Sequence, residues 1–577
     1  MFHKVCIITF LVSLAISLAA NDYSITRSDP AVDPIDQALQ ALGLTRDTCS
    51  FPLTGAAVST DKKWECPVYR YLLYRPFEIP YYLGHLEYNF ECYRDNLLRT
   101  MIFMAGRSGA GVARGYFSKP LALLEQRLEK SNQPFVTAME EIYAAADEPV
   151  SDDLRNQWTS ATVDIPEKIR FEAARILITS AEAARWQRKA FQRAFKSHYD
   201  YLLEDIPKRL TPNYPQSDKL PTITEEWERK THSDMRPLIG LVDYKRLICG
   251  ALDLVNSIEK SREALAEFKI DHGFDMELET PLGLVILSGD QENNTYDKEQ
   301  NYLLLMEFAG DDTYNGGGAN KSVREPVSVL LDFDGNDRYL QTKSGLKPAF
   351  ACGILGYGFL YDMEGNDQYV APQLTQGSGY FGVGWLVDFE GDDSYESVRY
   401  SQGYAHGGLG FLYDVSGNDV YYTYNSSQGC GTTRGYGLLV DDEGDDEYIA
   451  NDDDIRFPSA QSREHNRSTA QGAGMGDRAD EQDGHSLPGG LGVLMDRGGN
   501  DRYSAGVFAQ GMGFWNGVGF LVDTEGNDQF QGAWYVQGAG VHSGIGVLSD
   551  RDGNDTYTAT LHAAQGVGHD SAIGMLI

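Results

Sequence analysis

Beyond residue 20 the chain has no apolar run long enough to cross a bilayer, so a membrane-spanning helix is excluded for the remainder. Cysteine is scarce, seven in 577 residues, and no two form a Cys-x-x-Cys pair. With no His-Glu-x-x-His either, the usual zinc spacings are missing. Cations are few in the second half. Residues 276–577 hold 15 Lys and Arg against 46 Asp and Glu, so 31 of the 35 net negative charges lie there. Such a surface repels nucleic acid and anionic membrane and suits cations or cationic partners. Two catalytic look-alikes fail on inspection. Gly377-Ser-Gly379-Tyr-Phe-Gly382 has the dinucleotide spacing but no following helix, and Gly106-Arg-Ser-Gly-Ala110 lacks the last glycine of a nucleophile elbow.

Residues 1–20 carry a lysine, an apolar run and a small-x-small site at Ser17-Leu18-Ala19, the pattern of a secretory signal peptide. Export places the remaining cysteines in an oxidising compartment, where Cys49 with Cys66 is the expected local disulfide, while Cys352 and Cys430 read as small buried residues. Residues 21–275 have helical periodicity with charges of both signs. Leu86–Met104, Leu121–Ala146 with a break at Pro134, an alanine-rich stretch to Phe195 and Pro237–Phe268 are the expected helices. Asp164-Ile-Pro-Glu167 is expected to cap the alanine-rich one.

From about residue 276 one phrase returns, clearest at Gly356-Tyr-Gly-Phe-Leu-Tyr-Asp-Met-Glu-Gly-Asn-Asp-Gln-Tyr369 with Gln376-Gly377 after it. Its leading acid falls at Glu307, Asp332, Asp362, Asp388, Asp414, Asp441, Asp496, Asp523 and Asp550, in steps of 25, 30, 26, 26, 27, 55, 27 and 27 residues. Near-constant spacing of this length is the mark of a solenoid, whose repeats bury their apolar faces only by stacking. Ahead of each acid, bulky residues such as Val383 and Trp385 alternate with Gly382, Gly384 and Leu386, giving a strand with one bulky face and one glycine-plus-leucine face. The 55-residue step is one circuit carrying two insertions, at about 449–470 and 475–488. They bring Asp452, Asp453, Asp454, Arg456, Arg463, His465, Asp480 and His485, and form a candidate binding or catalytic site.

The expected architecture is therefore α+β and multidomain: a helical domain over residues 21–275, then a parallel β-solenoid of nine to ten turns over residues 276–577. With turns ~4.8 Å apart, each repeated acid stands over its copy, and like charges so placed need a cation or backbone donors between them. The first-position acids are those above from Asp332 onward. Asp337, Asp367, Asp393, Asp419, Asp446, Asp501, Asp528 and Asp555 take the sixth position, and Asp334, Glu364, Glu390, Glu443, Glu525 and Asp552 the third. Calcium is the cation such oxygen ligands suit. The simpler alternative is metal-free: the first Asp caps its turn and the later Asp accepts backbone amides of the adjacent circuit. The Gln column from Gln376 to Gln565 reads as an amide ladder, the tyrosine column as rings packed turn against turn, and His406 and His542 as polar surface residues.

Gly335-Asn-Asp-Arg-Tyr339 and Gly553-Asn-Asp-Thr-Tyr557 resemble the nonapeptide of RTX calcium-binding β-roll proteins, which implies calcium ligation. RTX motifs recur every nine residues, whereas these recur every 26 or 27, so that shared cage does not carry over. The whole repeat over residues 280–577 is similar to repeats of uncharacterised exported bacterial proteins, which implies export and no particular activity. Two functions are expected: a non-catalytic extracellular or envelope scaffold or adhesin meeting a protein or polysaccharide, or a polysaccharide lyase or hydrolase using Asp452–Asp454 with Arg456, Arg463 or His465.

Overall fold

The computed structural model describes residues 34–46, 64–112, 121–197, 206, 210, 235–298, 300–341, 348–479 and 486–577. The signal-peptide residues, Cys49, Asp480 and His485 lie outside them. Among the described residues about ten helices precede a solenoid of about ten turns, as the patterning implies.

Each full circuit contributes three strands. The long strands form a 12-stranded sheet running from Asp275–Thr280 to Ile573–Leu576. Only its first pair is antiparallel, Asp275–Thr280 against Gly283–Ser288, and every later pair is parallel. Short strands after the turn make a second sheet of ten, and two-residue strands such as Gly379–Tyr380 make the third face. Register is copy on copy: Asp388 pairs Asp362 and Asp414, and Tyr395 pairs Tyr369 and Tyr421. Across the 55-residue step Asp441 still pairs Asp496, so that step is a single circuit with insertions.

The glycine-and-leucine face points into the solenoid, where Leu360, Leu386, Leu412 and Leu439 meet the buried tyrosine column. The interior is too narrow for more. A Cβ on Gly384 would lie 2.0 Å from the carbonyl oxygen of Ser378 on the third face. At the corner, Gly391 has φ +149°, and a side chain there would meet the Gly365 carbonyl at 1.6 Å.

The bulky face points outward under the helices. Trp385, Phe359 and Phe520 belong to one apolar core with Leu72, Tyr82, Ile178 and Leu252. The Gln187 amide donates to the Leu355 carbonyl at 2.8 Å, the Tyr357 hydroxyl to the Leu247 carbonyl at 2.9 Å, and Arg551 pairs with Glu87 at 2.6 Å. The helical half is thus a layer sealed onto one sheet. The two layers come close at Gly250, where a Cβ would lie 2.3 Å from the Tyr357 hydroxyl. Overpacking at such a contact costs about 1–3 kcal/mol. Gly250→Ala is expected to lower the denaturation midpoint accordingly; an unchanged midpoint in a urea titration would mean that helix and sheet do not meet there.

Several sequence expectations need correcting. Pro166 itself is the N-cap of the helix Glu167–Lys196, with no side chain capping it, so Asp164 does not act. The residue before a proline is held out of the helical region, which pushes the start past Ile165. The span Leu86–Met104 divides into Ile79–Tyr93 and Leu97–Arg107 because Asn96 accepts the Arg99 N–H and starts a new helix. Likewise Asp243 accepts the Arg246 N–H and breaks Pro237–Phe268 ahead of Tyr244–Leu265. Cys66 is a buried free thiol directed at the Arg107 carbonyl, and the Cys49 end of the expected disulfide lies outside the described residues.

Candidate functional site

Strand parity decides where the repeated acids go. The leading acid is two residues beyond an inward leucine, and the sixth-position acid two residues before an inward tyrosine, so both turn inward. Sixteen of them, from Glu307 to Asp528, are buried, leaving a less acidic exterior than composition alone implies. Asp550 and Asp555 are partly covered on the last turns.

Most of these acids spend one oxygen on the protein, while Asp312, Asp332 and Asp496 spend both. In the first column the acid accepts a tyrosine hydroxyl of the preceding circuit: Tyr369 to Asp388 and Tyr395 to Asp414, both at 2.6 Å, then Tyr448 to Asp496 at 2.7 Å. Phe530 interrupts that series, and Asp550 takes the hydroxyl of its own Tyr557 instead. In the sixth column the acid accepts a backbone amide of the preceding circuit: Asp367 N–H to Asp393 and Asp393 N–H to Asp419, both at 2.6 Å, then Asp446 N–H to Asp501 at 2.7 Å. The tyrosines are fully buried and stacked, Tyr369 on Tyr395 at 4.8 Å and Tyr395 on Tyr421 at 4.9 Å, as packing predicts.

The second oxygens are left over. Oδ1 of Asp362, Asp388, Asp414, Asp441 and Asp523, and Oδ2 of Asp367, Asp393, Asp419, Asp446 and Asp501, receive no backbone, hydroxyl or cationic donor among the described residues and meet only neighbouring carboxyls. Carboxylate oxygens of neighbouring turns converge to within 4.8 Å in trios such as Asp362, Asp367 and Asp388, or Asp419, Asp441 and Asp446. The nearby arginines are engaged outside the file: Arg497 with Asp442, Arg502 with Glu447, Arg551 with Glu87. Burial, followed by the mutual repulsion of the carboxylates, pushes Asp337 up to about 7, Asp446 to about 8 and Asp501 to about 9. Burial with the same repulsion holds Asp414 and Asp441 well above the usual carboxylate range.

The third-position acids go elsewhere. Asp334, Glu364, Glu390, Glu443, Glu525 and Asp552 are exposed, and the first three line an open groove of about 520 Å³ with Asn336 and Asn366. The amide ladder also belongs to another column. Asn366 N–H donates to Asn336 Oδ1 at 3.1 Å and Asn527 N–H to Asn500 Oδ1 at 3.1 Å, whereas the Gln376 amide donates to the carbonyls of Tyr369 and Glu396. Gln376 has φ +51°, which turns its side chain back across its own circuit.

The chain matches no family model, no curated protein and no solved structure.

Within the first insertion, Asp452 faces His465 Nδ1 at 2.6 Å and accepts the Asn466 N–H. Asn466 Oδ1 accepts the Phe457 N–H at 2.7 Å, and its amide donates to the Asn451 and Asp454 carbonyls at 2.8 Å. Arg456 pairs with Asp454 at 2.6 Å and lies over the Tyr424 ring. Asp453 and Arg463 are exposed. The second insertion is closed by reciprocal backbone bonds between Asp477 and Leu487. His406 is not a surface residue: it is buried, stacked on Tyr380 and bonded to Thr432 at 2.8 Å. His542 is half covered, between Asp570 at 2.7 Å and Arg478 at 3.0 Å.

Proposed function

We propose that the chain is an exported, non-catalytic scaffold that presents its insertions to an extracellular protein or polysaccharide. One observation carries this reading: the repeated polar groups bond from turn to turn inside the solenoid, and the excursion between Ala450 and Gly474 is where that repetition is broken. The excursion is built rather than loose. Asn466 ties its base through four bonds, and the exposed Asp453, Arg463 and Glu464 stand on that base with both charge signs. A preorganised polar projection on a rigid frame loses little entropy on binding. The signal-peptide pattern of residues 1–20 supports export.

The Asp452–His465 pair is the observation favouring an enzyme, because a carboxylate at Nδ1 orients the ring to take a proton at Nε2. Nothing comparable to a nucleophile is bonded to that ring among the described residues. The mature chain is expected to leave a panel of neutral and uronate polysaccharides uncleaved. It should be retained on an immobilised polysaccharide or matrix protein, with Asp453→Ala/Arg463→Ala weakening retention at least tenfold. Turnover that vanishes in a folded His465→Ala variant would replace the scaffold with the lyase or hydrolase reading.

A further inference from the structure

The two buried acid columns form a file of unspent oxygens along the solenoid. Each circuit puts two carboxylates inside, and no Lys, Arg or His of the described residues enters to neutralise them. Isolated buried carboxylates are costly, so a partner is required. Tyrosine hydroxyls and backbone amides bond one oxygen of most of them, among them Asp362, Asp367, Asp388, Asp393, Asp414 and Asp419, and leave the other buried among the neighbouring carboxyls.

The geometry points to a row of calcium sites inside the solenoid, each held between adjacent turns by first- and sixth-position acids such as Asp362, Asp367 and Asp388. Three features select this ion class. The ligand atoms are all hard carboxylate oxygens, which suit calcium and magnesium over transition metals. The trios are buried and built from protein oxygens drawn together to within 4.8 Å, which suits calcium, whereas magnesium dehydrates reluctantly and usually keeps several waters. Two carboxylates per circuit balance one divalent ion per circuit, so a filled file is electrically neutral. The sites are independent of the insertions, and the proposal holds whether the chain is a scaffold or an enzyme.

This assignment differs from the one that the motif suggests. Glu364 and Glu390 stand in the outer groove, exposed, and are not ligands of the inner file. The stacked tyrosines, in contrast, place a phenol oxygen within 2.6 Å of a file acid in turn after turn. A lanthanide seated among these acids is therefore within reach of energy transfer from tyrosine.

The test uses the full mature chain, stripped with chelator and titrated with calcium by calorimetry, and with terbium while exciting tyrosine. Several calcium ions per chain are expected. Terbium emission sensitised by tyrosine should be displaced by calcium at no more than a tenth of the magnesium concentration needed. The near-isosteric Asp388→Asn should lose one or two ions from the stoichiometry, and Glu364→Gln/Glu390→Gln none. No binding by the stripped, folded chain would overturn the proposal and leave protons as the occupants. So would binding that survives Asp388→Asn in full but falls in Glu364→Gln/Glu390→Gln, which would move the ions to the outer groove. Loss of partner retention in the excursion variants, with calcium stoichiometry intact, would bear on the scaffold alone.

Discussion

Acidification is expected to stabilise the protein in chelator, opposite to the behaviour of most acidic proteins. The sign follows from the direction of the shifts. The file carboxyls have folded pKa values raised above the ordinary carboxylate range, to about 7 for Asp337, Asp388 and Asp419 and to about 8 for Asp446 and Asp496. Burial is the leading cause in each. Between an unfolded value near 4 and those folded values, the native state binds more protons than the unfolded chain, so stability falls as pH rises. The contribution is fully present below about pH 4 and is lost as pH climbs through 7 and 8. Each proton held only by the fold adds a slope of about 1.4 kcal/mol per pH unit. With several such groups the thermal midpoint in chelator should fall by several degrees per pH unit between pH 5 and 8. Melting curves at fixed ionic strength measure this directly. A midpoint that is flat, or that rises with pH over this window, would mean that the file carboxyls are not held protonated by the fold. Calcium should flatten the curve near neutrality, since an ion that takes the same oxygens removes the need for the proton.

The acids that behave this way were visible in the sequence, but the expectation put them on the surface and grouped the third position with the first and sixth, although strand parity already separates them. Positions two apart on a strand share a face, so Gly384, Leu386 and Asp388 point together, as do Asp393 and Tyr395. Combining that parity with an inward leucine puts both acids inside and leaves Glu390 on the corner. The repeat length, register and single-circuit character of the 55-residue step were legible because nine copies average out local noise. The amide ladder was not. Asn366 and Gln376 are both repeated amides, and which of them bonds its own copy depends on φ: Gln376 adopts +51° and folds back to Tyr369. Helix ends failed for a related reason. Asn96 and Asp243 lie inside apolar patterns that continue on both sides, so periodicity alone reads through a cap. That the helices would seal the bulky sheet face was also beyond the sequence, because no pattern within either half names its partner. Within the excursion, Asp452 and His465 were both legible as polar residues, but 13 positions of separation hid the bond between them.

Asp419 separates the two jobs that a file acid does, and its two substitutions should move stability in opposite directions. Its Oδ1 accepts the buried Asp393 N–H at 2.6 Å, while its Oδ2 receives no backbone, hydroxyl or cationic donor among the described residues. Asp419→Ala removes the acceptor, strands a buried amide and opens a small void. Leaving such a donor unsatisfied costs about 1–3 kcal/mol, and the lost packing adds to it. Asp419→Asn keeps an oxygen for the Asp393 amide and deletes only the charge. In chelator at neutral pH that charge is repelled by its buried neighbours, so the Asn variant is expected to melt at or above the parent while the Ala variant melts well below it. In saturating calcium the order of parent and Asn should reverse, because the parent then gains a ligand-linked stabilisation that the Asn variant has partly forfeited. Differential scanning calorimetry of the three proteins with and without calcium reads both comparisons. If Asn and Ala fall together in chelator, the amide acceptor is not what Asp419 supplies. If the order of parent and Asn is the same in both buffers, the charge at this position has no cation to hold.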